Sequence, residues 1–117
     1  MRHRPVRILI NGSIILSVVI SFSACSKIKG VYHSYQANKA LDKGDYKTAI
    51  SAYKEVLAMD SKDASVQYNL GVAYIYNKQA EKAEAQVQKL RDLNNDQYAE
   101  LLQEVIEKAA AGSLEKL

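Results

Sequence analysis

The sequence predicts an all-α fold. After Pro5 the chain contains no proline, so no later position is barred from a helix interior. Ala, Lys, Leu, Glu and Gln, all good helix formers, dominate the residues beyond Cys25. Apolar residues beyond residue 30 recur at helical spacing, and two segments, Gly30–Asp63 and Ala64–Gln97, align at a 34-residue offset. A fixed period of this length is the mark of stacked helical units that bury their apolar faces against one another.

The N-terminal segment is of a different kind. Arg2, Arg4 and Arg7 precede an apolar run from Ile8 to about Ile20, and Ser21-Phe22-Ser23-Ala24 leads to Cys25. A basic start, a short apolar stretch and small residues at its end make a secretory signal peptide. The run, interrupted by Asn11, Ser13 and Ser17, falls short of the roughly 20 apolar residues of a bilayer span. Cys25 is the one cysteine of the chain, so no internal disulfide is available. Phe22-Ser23-Ala24-Cys25 resembles the bacterial lipoprotein cleavage box, with Phe22 in place of the usual aliphatic residue. The resemblance implies a signal peptide over 1–24, acylation of Cys25 and a short tether over 25–29. By the same analogy Ser26 favours the outer membrane, on its periplasmic side. Several acyl chains burying about 0.8 kcal/mol per CH₂ make a durable anchor.

Processing at Cys25 changes the charge. Loss of Arg2, Arg4 and Arg7 takes the 16 Lys+Arg of the chain to 13, equal to its 13 Asp+Glu, all of which lie beyond Cys25. The apparent basicity then disappears. With it goes the electrostatic footprint that DNA or RNA binding needs.

The remaining elements follow in order. A first helix is expected over about Val31–Lys43, ended by Gly44 in the left-handed conformation. Tyr46, Ala49, Ile50, Tyr53, Val56 and Leu57 then fall at i, i+3, i+4, i+7, i+10 and i+11, one face of a second helix. Asp45 stands where it can cap the free N–H groups of that helix. A third helix is expected over Ala64–Tyr76 with Asp63 as cap, and a fourth over about Ala80–Leu93. Beyond Gln97, Tyr98, Leu101, Leu102, Val105, Ile106 and Ala109 form a fifth stripe, with Asn95 or Asp96 as cap. This helix reads as the solvating end of the array, and Gly112 as the start of a frayed tail.

The two aligned segments resemble the tetratricopeptide repeat. The first carries the later half of that pattern in Gly44, Tyr46, Ala49, Tyr53 and Leu57. The second carries the earlier half in Leu70, Gly71 and Tyr74, plus Ala83. His33 and Gln67 replace the pattern's tryptophan, and Lys78 replaces its turn glycine. The resemblance implies two helix-turn-helix repeats, 30–63 and 64–97, and a capping helix and tail over 98–117. It places Tyr46, Tyr53 and Tyr74 in the core and sets small Ala37 and Gly71 where paired helices approach.

The family's groove positions fall on Val31, Ser34, Asn38, Leu41 and Asp42 in the first repeat. In the second they fall on Ser65, Tyr68, Val72, Ile75 and Tyr76. Asn38, Leu41, Asp42, Tyr68, Val72 and Tyr76 are the partner-binding candidates. Tyr68 and Tyr76, eight residues apart, share a helical face and suit recognition of a peptide; cover by the last helix or a second copy is the competing use of that face. Asn38 and Asn69 match the asparagines of a carboxylate clamp, but Ser34, Ala99 and Gln103 replace its basic residues, so no clamp is expected.

Chemistry is sparse. No phosphate-binding glycine loop is present, and His33 is the one histidine beyond Cys25, too few for a zinc site or a Cys/His pair. Glu100, Glu104 and Glu107 read as a solvated face. No cofactor, metal site or catalytic set is expected. The expectation is a non-enzymatic, lipid-anchored adaptor that binds a protein partner in the cell envelope, in a secretion, pilus or cell-wall assembly. The alternatives are a self-associating structural module and an accessory subunit of an envelope enzyme.

Overall fold

The computed structural model describes residues 24–113. Five helices make up this part: α1 over 24–42, α2 Tyr46–Met59, α3 Ala64–Tyr76, α4 Ala80–Asp92 and α5 Asp96–Ala110. No strand occurs among the described residues. The signal peptide expected over 1–24 lies, but for Ala24, outside them.

Side-chain caps start three of the helices. Asp45 accepts from the Thr48 N–H at 3.3 Å, Asp63 from the Val66 N–H at 3.1 Å, and Asn95 from the Tyr98 N–H at 3.3 Å. Each satisfies a donor that the first helical turn leaves free. Of Asn95 and Asp96, the asparagine is therefore the cap. Asp96 becomes the first helical residue, one of two acidic groups of the described helices that sit in a first turn.

The helix ends carry the repeat. After α1 the chain turns at Gly44 with φ +76°, the Asp45 N–H bonding back to the Ala40 carbonyl at 2.9 Å. After α3, Lys78 takes the same left-handed conformation at φ +60°, and the Gln79 N–H bonds to the Tyr74 carbonyl at 2.8 Å. After α5, Gly112 does so at φ +72°, with Ser113 bonded to Lys108 at 2.9 Å. Gly44, Lys78 and Gly112 succeed one another at intervals of 34 residues. The turn geometry is thus retained where its glycine is lost, and α5 stands in the place of the first helix of a third repeat.

Each hairpin is antiparallel, and successive helices pack in turn. α3 touches α2, α4 and α5, so it is apolar nearly all round. Val66, Leu70, Gly71, Ala73, Tyr74 and Ile75 are all buried, the signature of a central helix rather than an amphipathic one. Tyr53 and Tyr74 enter the core as expected. The ammonium groups of Lys54 on α2 and Lys82 on α4 lie 6.0 and 5.7 Å from the Tyr74 ring centre, so the cations flank an aromatic that they also help to cover.

Three expectations need correction. α1 is helical from residue 24, well before the start expected at about Val31. Tyr46 is only half-buried, because it lies at the exposed first turn of α2. Gly71 serves a different contact: a Cβ there would fall 2.8 Å from Leu102 Cδ1 and closer still to Cδ2. The close approach it permits is between α3 and α5, successive first helices, not within a hairpin.

Candidate functional site

The partner-binding candidates lie on the first helices of the repeats, and the structure gives them unequal roles. Asn38 on α1 is exposed overall, but its Oδ1 accepts a 2.6 Å hydrogen bond from the buried Tyr53 hydroxyl on α2. That bond commits one of its polar atoms to the hairpin. Leu41 and Val72 are half-buried and packed against the core. Asp42 is exposed at the end of α1, close enough to act on Tyr53. Burial, and secondarily the Asp42 charge, push the Tyr53 phenol up to about 12. Burial disfavours the phenolate, and a neighbouring carboxylate repels it.

The tyrosines are the distinctive part of this surface. Tyr68 on α3 lies against Tyr98 on α5, ring centres 5.5 Å apart and tilted by 34°. Tyr76 at the end of α3 stacks on Tyr46 at the start of α2, at 5.3 Å and 15°. All four rings are half-buried. Burial, then Glu104, then the neighbouring Tyr76 and Tyr98, raise the Tyr68 phenol. Its hydroxyl therefore stays protonated at neutral pH and can donate a hydrogen bond. Aromatic pairs of this geometry hold their rings in fixed orientations. Tyr68 and Tyr76 thus each lie against a neighbouring ring and remain partly exposed.

Tyr98 and Tyr46 were not among the candidates. Tyr98 occupies the repeat position of Ala64 and Gly30, so no repeat logic marks it. Tyr46 matched a core position. Only the packing of α5 on α3, and of α2 beside the end of α3, brings each ring to its partner.

No cluster of three potential metal ligands occurs among the described residues. His33 Nδ1 lies 3.0 Å from Glu55 Oε2 at a partly exposed α1–α2 contact, which ties the hairpin at the position where the repeat pattern has tryptophan. Glu100, Glu104 and Glu107 are exposed along the outer side of α5.

The family model of the tetratricopeptide repeat matches residues 40–105. The chain belongs to the tetratricopeptide repeat family. The match runs from the end of α1 into α5, which agrees with α5 keeping the repeat register. Repeats of this family generally serve as protein–protein interaction scaffolds. Among curated proteins, the chain is similar to the BBSome complex member BBS4 of Bos taurus, 43% identical over 51 residues. That alignment covers 44% of this chain and 10% of the bovine protein, so the chain spans about a tenth of that relative. No solved structure gives a significant match.

Proposed function

We propose that this tetratricopeptide repeat protein is a membrane-anchored adaptor of a bacterial cell envelope. In this reading Cys25 carries the lipid, and the face of α3 and α5 receives a protein partner. The observation that carries the binding reading is that Tyr68 and Tyr76 of α3 stay partly exposed, although Tyr98 of α5 and Tyr46 of α2 lie against them and the last helix covers part of Tyr68. Amphipathic rings fixed in place favour a peptide segment that offers apolar side chains and backbone acceptors. The bovine relative is by name a member of a multi-subunit complex, which agrees with a scaffold role and extends no further.

The anchor reading is supported by the N-terminal sequence and by the exposure of Cys25. The partner class proposed is a subunit of an envelope assembly such as a secretion, pilus or cell-wall machine.

Two measurements test this. Crosslinking and pull-down from membranes, comparing the wild type with a Tyr68→Ala/Tyr76→Ala variant, should lose the partner in the variant. An unchanged partner set discards the tyrosine surface. Palmitate labelling should vanish in Cys25→Ala, and label that persists there removes the lipid anchor.

A further inference from the structure

The first half of α1 carries an apolar face that packs on no described helix. Ile28, Val31, Tyr32 and Tyr35 fall at i, i+3, i+4 and i+7, and all four are exposed, from 59% for Tyr32 to 73% for Val31. The repeat register shows why this is unusual. Tyr32 corresponds to Val66 of α3, which is 4% exposed, and Lys39 to Ala73, which is 0% exposed. The other positions of the stripe, Ile28, Val31 and Tyr35, align with polar Lys62, Ser65 and Asn69, so the exposed apolar face belongs to α1 and not to the repeat.

The residues around the stripe specify what could cover it. Lys27 and Lys29 flank Ile28 on either side, each about 100° round the helix. Lys39 continues the stripe one turn beyond Tyr35, its ammonium 6.0 Å from that ring. No Asp or Glu occurs between Ala24 and Leu41. Cys25 is exposed and lies on the same side of the helix as Ile28 and Tyr32. An apolar, tyrosine-bearing face flanked by lysines is the pattern of a helix lying in a membrane interface. There the rings take the headgroup level and the ammonium groups meet anionic lipid. A second copy meeting this face with its own α1 fits less well, since lysines would oppose lysines with no carboxylate on the face to pair them.

We propose that α1 lies along an anionic bilayer surface through Ile28, Val31, Tyr32 and Tyr35. The proposal rests on the membrane-anchored reading and adds to it an orientation. The first repeat would be held against the lipid instead of swinging on its attachment point, with Lys27 and Lys29 as the electrostatic contacts.

The chain contains no tryptophan, so Tyr32→Trp introduces a single tryptophan, excited selectively over the tyrosines, at the centre of the face. Glu84→Trp, on exposed α4, is the control. Each processed, lipid-modified protein, extracted from membranes, is reconstituted with vesicles of phosphatidylethanolamine and phosphatidylglycerol, with and without brominated acyl chains. The expected result is a blue-shifted Tyr32→Trp emission quenched about twofold or more by the brominated lipid, with Glu84→Trp unaffected. Adding Lys27→Glu and Lys29→Glu should remove most of that quenching. Protein that sediments with vesicles while the tryptophan at 32 stays unquenched overturns the orientation and leaves the anchor standing. Protein that fails to sediment overturns both. A blue shift that grows with protein concentration in the absence of lipid assigns the face to a second copy and overturns the proposal.

Discussion

The Tyr53 hydroxyl donates to Asn38 Oδ1 across 2.6 Å, joining the two helices of the first repeat through a side chain with no exposed surface. Burial and the nearby Asp42 hold this phenol at about 12, above the ordinary 10. The folded state then keeps a proton that the unfolded state releases. Its contribution to stability is complete below pH 10 and is lost as pH rises toward 12. Denaturation midpoints measured across pH 9 to 12 should fall in the wild type. Tyr53→Phe should cost about 1 kcal/mol at neutral pH and flatten that fall. An equally steep loss in the variant would remove Tyr53 as the cause.

Asn38 thereby acquires a second meaning. Its substitution would disturb the α1–α2 hairpin as well as any partner, so reduced binding in Asn38→Ala cannot alone place it in the interface. Tyr68 and Tyr76 are better probes, because their hydroxyls make no hydrogen bond among the described residues.

Gly71 and Leu102 meet where α3 crosses α5. Leu102 has no exposed surface, so it has little freedom to yield to an added methyl. Gly71→Ala should destabilise by about 1 to 3 kcal/mol. In a double-mutant cycle, Leu102→Ala should absorb part of that cost, since it removes the atoms that clash. Urea unfolding of the four proteins provides the comparison, and strict additivity would count against a direct contact.

Lys78 pays for its left-handed backbone. Its φ of +60° crowds a Cβ against the following carbonyl at a cost of about 1 kcal/mol or more, a strain glycine avoids. Lys78→Gly should therefore raise the thermal midpoint by several degrees, the side chain being exposed and outside any described ion pair. A lowered midpoint would show that chain entropy outweighs the strain.

Gln67 and Gln86 are buried on α3 and α4, each with an Oε1 that no donor among the described residues reaches. Gln67 stands at the repeat's tryptophan position. Gln67→Leu removes an uncompensated polar atom at similar volume and should stabilise by about 1 kcal/mol. A loss of stability in calorimetry would mean that the amide is satisfied in solution.

Helix positions were readable from the sequence because their causes are local. Asp45, Asp63 and Asn95 mark helix starts, Gly44 a helix end, and the spacing from Tyr46 to Leu57 a buried face. Helix α1 was misjudged at its start. Gly30 sits within the helix with open space around it, so it does not end the helix. The candidate site is legible in part: repeat positions name Tyr68 and Tyr76, while Tyr98 and Tyr46 carry no local mark.

The sequence by itself determined the helical class, the caps and most of the core, which are set by residues within one or two turns of each other, and the 34-residue repeat, which shows when the chain is compared with itself. Tertiary structure alone decided which surfaces meet. It set Gly71 against Leu102, paired the tyrosines across helices, gave Asn38 to Tyr53, and left Ile28, Val31, Tyr32 and Tyr35 facing outward. Those outcomes depend on packing between residues 15 to 31 positions apart or more, and hydrophobic attraction has no direction by which a sequence pattern could name its partner.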